Sequence, residues 1–136
     1  MRIAKIGHWF LLASLFVETL AVGQLTSAEY ILGRAFGFER AYPLNYWSDV
    51  LGGLFICLFG FCVTGVVLLQ HRWSKRLASG FCLATILFVL ARATSTPGSN
   101  WWLAFEFCIL PIAVLGYLTL DWISSRPTTH KAVQPS

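Results

Sequence analysis

The sequence predicts an all-α, polytopic membrane protein: an antiparallel four-helix transmembrane bundle with a short interfacial segment on its outer side. Hydrophobic residues make up 57% of the 136-residue chain and charged residues only 12%. A soluble domain carries roughly 25% charged residues, so this chain has too few charges to cover a water-facing surface. Four separate segments are also apolar enough to cross a bilayer, which requires about 20 residues each. The length fits a single transmembrane domain.

The four predicted spans follow the apolar runs of the chain. The first covers residues 6–25 and is interrupted only by Glu18. The second covers residues 48–70, the third 77–96 and the fourth 101–120. Adjacent Pro and Gly residues separate the third span from the fourth, where they end one helix and permit a tight reversal of the chain.

Residues 26–47 are predicted to form an outer loop. Thr26 and Glu29 have the spacing of a capping box, in which each side chain satisfies a free backbone N–H at a helix start. The apolar and charged residues that follow predict a short helix in the outer interface, which Pro43 ends. An irregular ordered loop is the alternative. Residues 121–136 are predicted to be a cytoplasmic tail.

The distribution of charge predicts that both termini are cytoplasmic and that the protein lies in the cell (inner) membrane. Cytoplasmic segments carry an excess of Lys and Arg. Seven of the ten basic residues fall on one side in this topology, namely Arg2, Lys5, Arg72, Lys75, Arg76, Arg126 and Lys131. All six Trp residues fall at predicted span boundaries, where the indole ring meets lipid and its N–H meets water.

The start of the chain also allows a different interpretation. Basic residues, an apolar stretch and the small residues 21–23 before Gln24 together resemble a secretory signal peptide. Its cleavage would leave three spans.

Each predicted span carries an ionisable residue on a face of small or polar side chains, which is predicted to turn inward. In the second span this face consists of Asp49, Gly53, Cys57, Gly60 and Thr64, and in the fourth of Trp102, Glu106, Ala113 and Gly116. The four ionisable residues are Glu18, Asp49, Arg92 and Glu106. A charge in hydrocarbon costs about 2.5–3.5 kcal/mol on the insertion scale, so we expect these side chains to turn inward and pair. Their positions predict one polar pocket in the outer half of the bundle, which either binds a ligand or only stabilises the fold. The aromatic residues of its predicted rim are Tyr46, Trp47, Trp101 and Trp102. An interfacial belt of Trp gives the same pattern.

Arg92 and Glu106 flank the predicted turn between two antiparallel helices at similar depth, so we expect them to form an ion pair. This pair either locks the two helices together or belongs to a functional site. Glu18 then has no cation of its own, and it either shares Arg92 or remains neutral. Asp49 alternatively caps the start of the second span, where a carboxylate complements the helix dipole.

No motif for a cofactor or a metal ion is present. The chain has no Gly-rich phosphate loop and no nucleophile elbow, and its three His residues fall on the predicted cytoplasmic side, away from the carboxylates. The four Cys residues lie within spans without a CxxC spacing, which is typical of small packing residues. The basic residues sit beside apolar runs, so nucleic-acid binding is not predicted. The predicted partners are the lipid bilayer and either a partner membrane subunit or a second copy of the chain.

The Gly52-Gly53 pair that opens the second span, Arg92 near the end of the third and Glu106 within the fourth resemble the small four-helix bacterial membrane proteins grouped near DoxX, especially an uncharacterised DoxX-like set. The likeness covers residues 49–120. It implies a four-helix membrane bundle. Some DoxX relatives are tied to quinone-linked or thiol redox systems, whereas this chain has no cysteine motif for such chemistry.

Three functions are compatible with these features. The first is an accessory bundle that binds a partner or a lipid-like ligand. The second is a small membrane enzyme or redox subunit, in which Glu18 or Glu106 exchanges a proton with a quinone or another lipid-soluble substrate. The third is a small transporter or channel component. The sequence leaves open whether the protein is an enzyme.

Overall fold

The computed structural model describes residues 2–95 and 101–126, which form five α-helices and, within these ranges, no strand. The helices are α1 (Arg2–Ala35), α2 (Phe38–Ala41), α3 (Pro43–Leu68), α4 (Ser74–Ser95) and α5 (Trp101–Ser124). All except α2 are long and apolar enough to cross a membrane. The predicted all-α four-helix membrane bundle is therefore confirmed. The predicted Pro-Gly turn and most of the predicted tail lie outside the described residues.

Helix α1 is 34 residues long and runs well beyond the predicted end of the first span at residue 25. At 1.5 Å per residue it measures about 50 Å, which exceeds the roughly 30 Å of bilayer hydrocarbon. The predicted capping box is wrong, because the Thr26 hydroxyl donates to the Val22 carbonyl inside the helix at 2.8 Å. The helix ends just before Gly37, which adopts a left-handed conformation with φ 75° that favours glycine.

The outer connection is correspondingly shorter than predicted. Only the four-residue helix α2 separates α1 from α3. Pro43 stands in the first turn of α3, where its missing N–H breaks no helical hydrogen bond. Arg34 Nε lies 3.4 Å from Glu39 Oε2 and ties the end of α1 to α2. The predicted interfacial helix is thus replaced by the outer end of α1 and a single helical turn.

The helices pack in chain order. Helix α1 lies along α3, α3 against α4 and α4 against α5, while α1 and α5 meet over a shorter stretch. The bundle interior is filled by apolar side chains from all four long helices. Its main buried cluster consists of Leu11, Leu15, Val22, Ile56, Val63, Val67, Ala78, Phe81, Cys82, Val114 and Leu118.

Glycine residues on α3 allow α1 to approach closely. Gly53 faces the Thr26 side chain, and Gly60 faces both Thr19 and Phe81. A Cβ atom at either glycine would overlap these neighbours. Small residues let helix backbones come together in a membrane, where packing rather than water exclusion drives association. Both glycines are buried, as the small-residue face of the second span predicts.

The predicted inward face of the fourth span is wrong. Trp102, Glu106, Ala113 and Gly116 are all exposed. The buried face of α5 instead consists of Ala104, Cys108, Pro111, Val114 and Leu118. A second apolar cluster joins α4 to α5 at Val89, Ala93, Ala104 and Cys108. This contact sets the rotation of α5, and it leaves the small residues at 113 and 116 facing outward.

The end of the bundle that holds the described chain termini, here called the terminal end, is where α1 touches α5. Tyr117 packs edge-on against Phe10, with ring centroids 5.6 Å apart, and its hydroxyl end lies directly over Gly7. Lys75 of α4 forms an ion pair with Asp121 of α5 at the same end. The opposite end, which carries α2, is called the α2 end below.

Candidate functional site

A cavity of about 220 Å³ lies among α1, α4 and α5. Its lining residues are Glu18, Ala21, Val22, Thr85, Glu106, Phe107 and Leu110. Two carboxyl groups from different helices therefore share one mostly apolar cavity. The lining contains no basic residue. We refer to this space as the α1–α5 cavity.

Glu18 is the buried polar group of this cavity, with only 3% of its surface exposed. Its position on α1 follows from helical spacing, because Leu15 and Val22, three residues before it and four after it, share its buried face. The Cys82 thiol donates to Glu18 Oε2 at 3.8 Å. Glu18 Oε1 has no hydrogen-bond partner among the residues that the structure describes. Thr85 lies beside the same carboxyl group.

Glu106 is exposed and lines the opposite wall of the cavity, on α5. The cavity consequently reaches the outer surface of the bundle, which faces lipid in a membrane-spanning helix. Pro111, four residues after Phe107, has no N–H to donate to the Phe107 carbonyl. The Phe107 carbonyl of α5 therefore lacks its usual helical donor.

The predicted ion pair between Arg92 and Glu106 is wrong. Arg92 Nη2 lies 2.7 Å from Glu29 Oε1, which joins α4 to α1. Ala93 and Ala104 occupy the contact between α4 and α5, whereas Glu106 is exposed. Similar depth along two helices was therefore not enough to pair these side chains.

Glu29 is the residue that the sequence interpretation missed as a site residue. It and Arg92 are largely buried, with 16% and 22% of their side chains exposed. Asp49 of α3 lies within electrostatic range of both. We call Glu29, Asp49 and Arg92 the ion cluster; it links α1, α3 and α4 near the α2 end. The signal for it in the sequence was the spacing of Glu29 from Val22 and Thr26, which continues the buried stripe of α1.

The four predicted pocket residues thus fall in two places. Glu18 and Glu106 line the α1–α5 cavity, whereas Asp49 and Arg92 belong to the ion cluster. Glu18 and Glu29 are eleven positions apart on α1, or about 16 Å at 1.5 Å per residue. Glu18 consequently lies near the middle of its helix rather than close to its outer end.

None of the predicted rim residues lines the cavity. Tyr46 is buried between α1 and α3, where its hydroxyl donates to the Tyr30 carbonyl at 2.8 Å. Trp47 packs on the Tyr46 ring at 5.3 Å between centroids. Trp101 and Trp102 are exposed at the start of α5. The exposed Trp residues therefore fit an interfacial belt better than the wall of a pocket.

The polar groups of this cavity are mainly hydrogen-bond acceptors. Two carboxyl groups, one from α1 and one from α5, line the cavity, and the Cys82 thiol is a weak donor to the Glu18 carboxyl group. Within the described ranges, no three His, Cys, Asp or Glu side chains are grouped to hold a metal ion. Such a site can accept hydrogen bonds from a ligand, bind a cation or exchange a proton.

No protein-family model, no curated protein and no solved structure matches this chain. The resemblance to DoxX-like proteins therefore rests on the residues that suggested it.

Proposed function

We propose that this integral membrane protein is an accessory bundle that binds a lipid-soluble ligand in the α1–α5 cavity. The observation that carries the proposal is Glu18, a buried carboxyl group within a membrane-spanning helix that lines a cavity reaching the lipid-facing surface. Ionisable residues inside spans are costly, and they mark binding or transport sites more often than they serve packing. Polar groups in an apolar cavity orient a ligand, and the apolar wall binds its hydrocarbon part.

In this proposal the ion cluster is an internal clamp rather than part of the ligand site. Arg92 is held by Glu29 and lies within electrostatic range of Asp49, so three helices share one buried cation. The clamp takes the role that the sequence assigned to Arg92 and Glu106. It would keep α1 against α3 and α4 while α5 remains joined mainly to α4.

The terminal end is proposed to face the cytoplasm of a cell with the bundle in its inner membrane. Arg76 stacks on Trp73 at 5.5 Å, and Arg126 stacks on Trp122 at 3.6 Å. Basic side chains over Trp rings suit a membrane boundary, where the ring meets lipid and the cation meets headgroups. The exposed apolar faces of the long helices leave room for lipid, a partner membrane subunit or a second copy of the chain.

Filling the cavity tests this function. We expect Ala21→Leu to lower labelling of the cavity by photoreactive dodecyl probes, one ending in a hydroxyl and one in an amino group, by about tenfold or more. The added side chain occupies space that a ligand needs, and pocket methylenes are worth about 1–3 kcal/mol each. Labelling of purified protein in nanodiscs is mapped by peptide mass spectrometry.

The matched control for this test is Ala13→Leu. Ala13 lies on the same helix but is exposed to lipid, so the same enlargement leaves the cavity open. Equal labelling of the cavity residues in wild type and in the Ala21→Leu variant by both probes would contradict the proposed function.

A further inference from the structure

The two carboxyl groups of the α1–α5 cavity have no counter-ion in its lining. The wall contributes Glu18 and Glu106 but no Lys, Arg or His. Arg92 is engaged by Glu29 in the ion cluster. A carboxyl group in an apolar environment either takes up a proton or, if ionised, requires a partner that neutralises its charge; a cationic ligand would stabilise the ionised form. The lining therefore favours a ligand that brings its own positive charge.

The unused acceptors suit a head group with several N–H donors. Glu18 Oε1 has no hydrogen-bond partner among the described residues, although only 3% of the Glu18 surface is exposed. Glu106 provides a second carboxylate, and the Phe107 carbonyl lacks the donor that Pro111 cannot supply. A primary ammonium group carries three N–H donors and one charge, as the Lys side chain does.

The volume limits what can be enclosed. A cavity of about 220 Å³ holds about seven water molecules at roughly 30 Å³ each. Pockets for whole drug-sized molecules measure roughly 300–1,000 Å³. The cavity therefore encloses a head group, and the remainder of an amphipathic ligand must lie outside it.

The gap between α1 and α5 offers a path for the part of the ligand that lies outside the cavity. At the terminal end Tyr117 closes the two helices against Phe10 and Gly7. Tyr117 is ten positions beyond Phe107, or about 15 Å along α5, so this contact lies between the cavity and the terminal end. Glu106 is exposed at the level of the cavity, where the wall opens toward lipid. An alkyl chain leaving there enters the bilayer directly.

From these observations we infer that the α1–α5 cavity binds the primary ammonium head of an alkylamine, with Glu18 as its buried carboxylate and Glu106 at its mouth, while the alkyl tail lies in the bilayer. This inference rests on the proposed function and specifies its ligand class. Glu18 lies near the middle of α1, about 16 Å from Glu29. A phospholipid would have to pull its phosphate into hydrocarbon to reach it, so a single-chain amine fits better than an ethanolamine headgroup.

The test compares single-chain probes of similar alkyl length on the whole chain in nanodiscs. Dodecylamine, dodecanol, decyl-ubiquinone and a twelve-carbon lysophosphatidylethanolamine are titrated by native mass spectrometry against wild type, Ala21→Leu, Glu18→Gln, Glu106→Gln and the double variant of the two Glu residues. We expect wild type to bind dodecylamine at least about tenfold more tightly than dodecanol, because hydrogen bonds to charged groups are worth about 1.5–3 kcal/mol. Glu18→Gln should reduce that preference about tenfold, and the double variant should abolish it.

Glu39→Gln is the matched control. Glu39 lies on α2, where it pairs with Arg34, and it does not line the cavity. The dodecylamine affinity of this variant should equal that of wild type. Glu106 is exposed, so Glu106→Gln keeps the test valid if Glu18→Gln fails to fold. Binding of the lysophospholipid with the same Glu18 dependence would support ammonium recognition and identify a lipid headgroup as its source.

Two results would overturn the inference while leaving the proposed function intact. One is equal affinity for dodecylamine and dodecanol, each still sensitive to Ala21→Leu. The other is tighter, Glu18-dependent binding of the quinone, which would indicate a neutral ligand. Insensitivity of every probe to Ala21→Leu would instead reject the proposed function itself.

Discussion

Replacing Arg92 with Met should lower the free energy of unfolding by about 3 kcal/mol. Removing one partner of a buried ion pair leaves the other charge uncompensated, which costs about 3–5 kcal/mol. We expect the lower end of that range, because Arg92 and Glu29 keep 22% and 16% of their side chains exposed. The loss is measured by denaturant unfolding in detergent, followed by Trp fluorescence.

Substitutions at Arg92 and at its partner Glu29 should lower the free energy of unfolding by different amounts. Glu29→Gln leaves Arg92 within range of Asp49, so its effect should be smaller than that of Arg92→Met. Adding Glu29→Gln to Arg92→Met should restore part of the lost stability, whereas adding Glu106→Gln should restore none. Arg76→Met is the control, since Arg76 is exposed on the terminal end. A rescue by Glu106→Gln rather than by Glu29→Gln would contradict the observed pairing.

Replacing Gly60 with Ala is expected to destabilise the bundle by about 1–3 kcal/mol, the usual cost of overpacking a filled core. The new Cβ would meet the Thr19 hydroxyl and would lie 2.8 Å from the Phe81 ring. Thr19 of α1 and Phe81 of α4 are both fully buried, so neither can move aside without disturbing the packing of α3 against its neighbours. Thermal unfolding in detergent measures the loss.

Gly116 provides the matched control for Gly60. It also lies within a membrane-spanning helix, but a Cβ there meets nothing within 4 Å. Gly116→Ala should therefore be neutral or stabilising by up to about 1 kcal/mol, because Ala favours a helix over Gly. Equal losses for the two substitutions would show that close packing against Thr19 and Phe81 does not decide the effect at Gly60.

The number and approximate limits of the spans could be predicted because hydropathy acts locally. Each of the four long helices covers all or nearly all of the apolar run that indicated it, whatever its neighbours are. The length of α1 could not be predicted in this way. Its segment after residue 25 is partly polar, and it remains helical while Thr26 packs over Gly53 and Gly33 accommodates the Tyr46 ring on α3.

The identity of the candidate site residues could be predicted only in part. Glu18 and Glu106 were recognised because a carboxyl group within a span is unusual, and both line the α1–α5 cavity. Both were expected to share one pocket with Asp49 and Arg92, and the separation of these four residues into two sites was not predicted, because it depends on how the helices rotate against one another. Glu29 was missed because its helical turn was assigned to a loop, which removed it from the pairing possibilities of Arg92.

The sequence by itself determined that this chain is a four-helix membrane protein with acidic residues in its spans, because the transfer of side chains to hydrocarbon depends mainly on residue type. Tertiary structure alone decided which charges meet and where a cavity remains. A few side chains set that outcome: Gly53 and Gly60 bring α1 against α3, and Ala93 and Ala104 fix the face that α5 turns to α4. Close packing selects helix rotation through such contacts, and rotation decides which polar groups share a space.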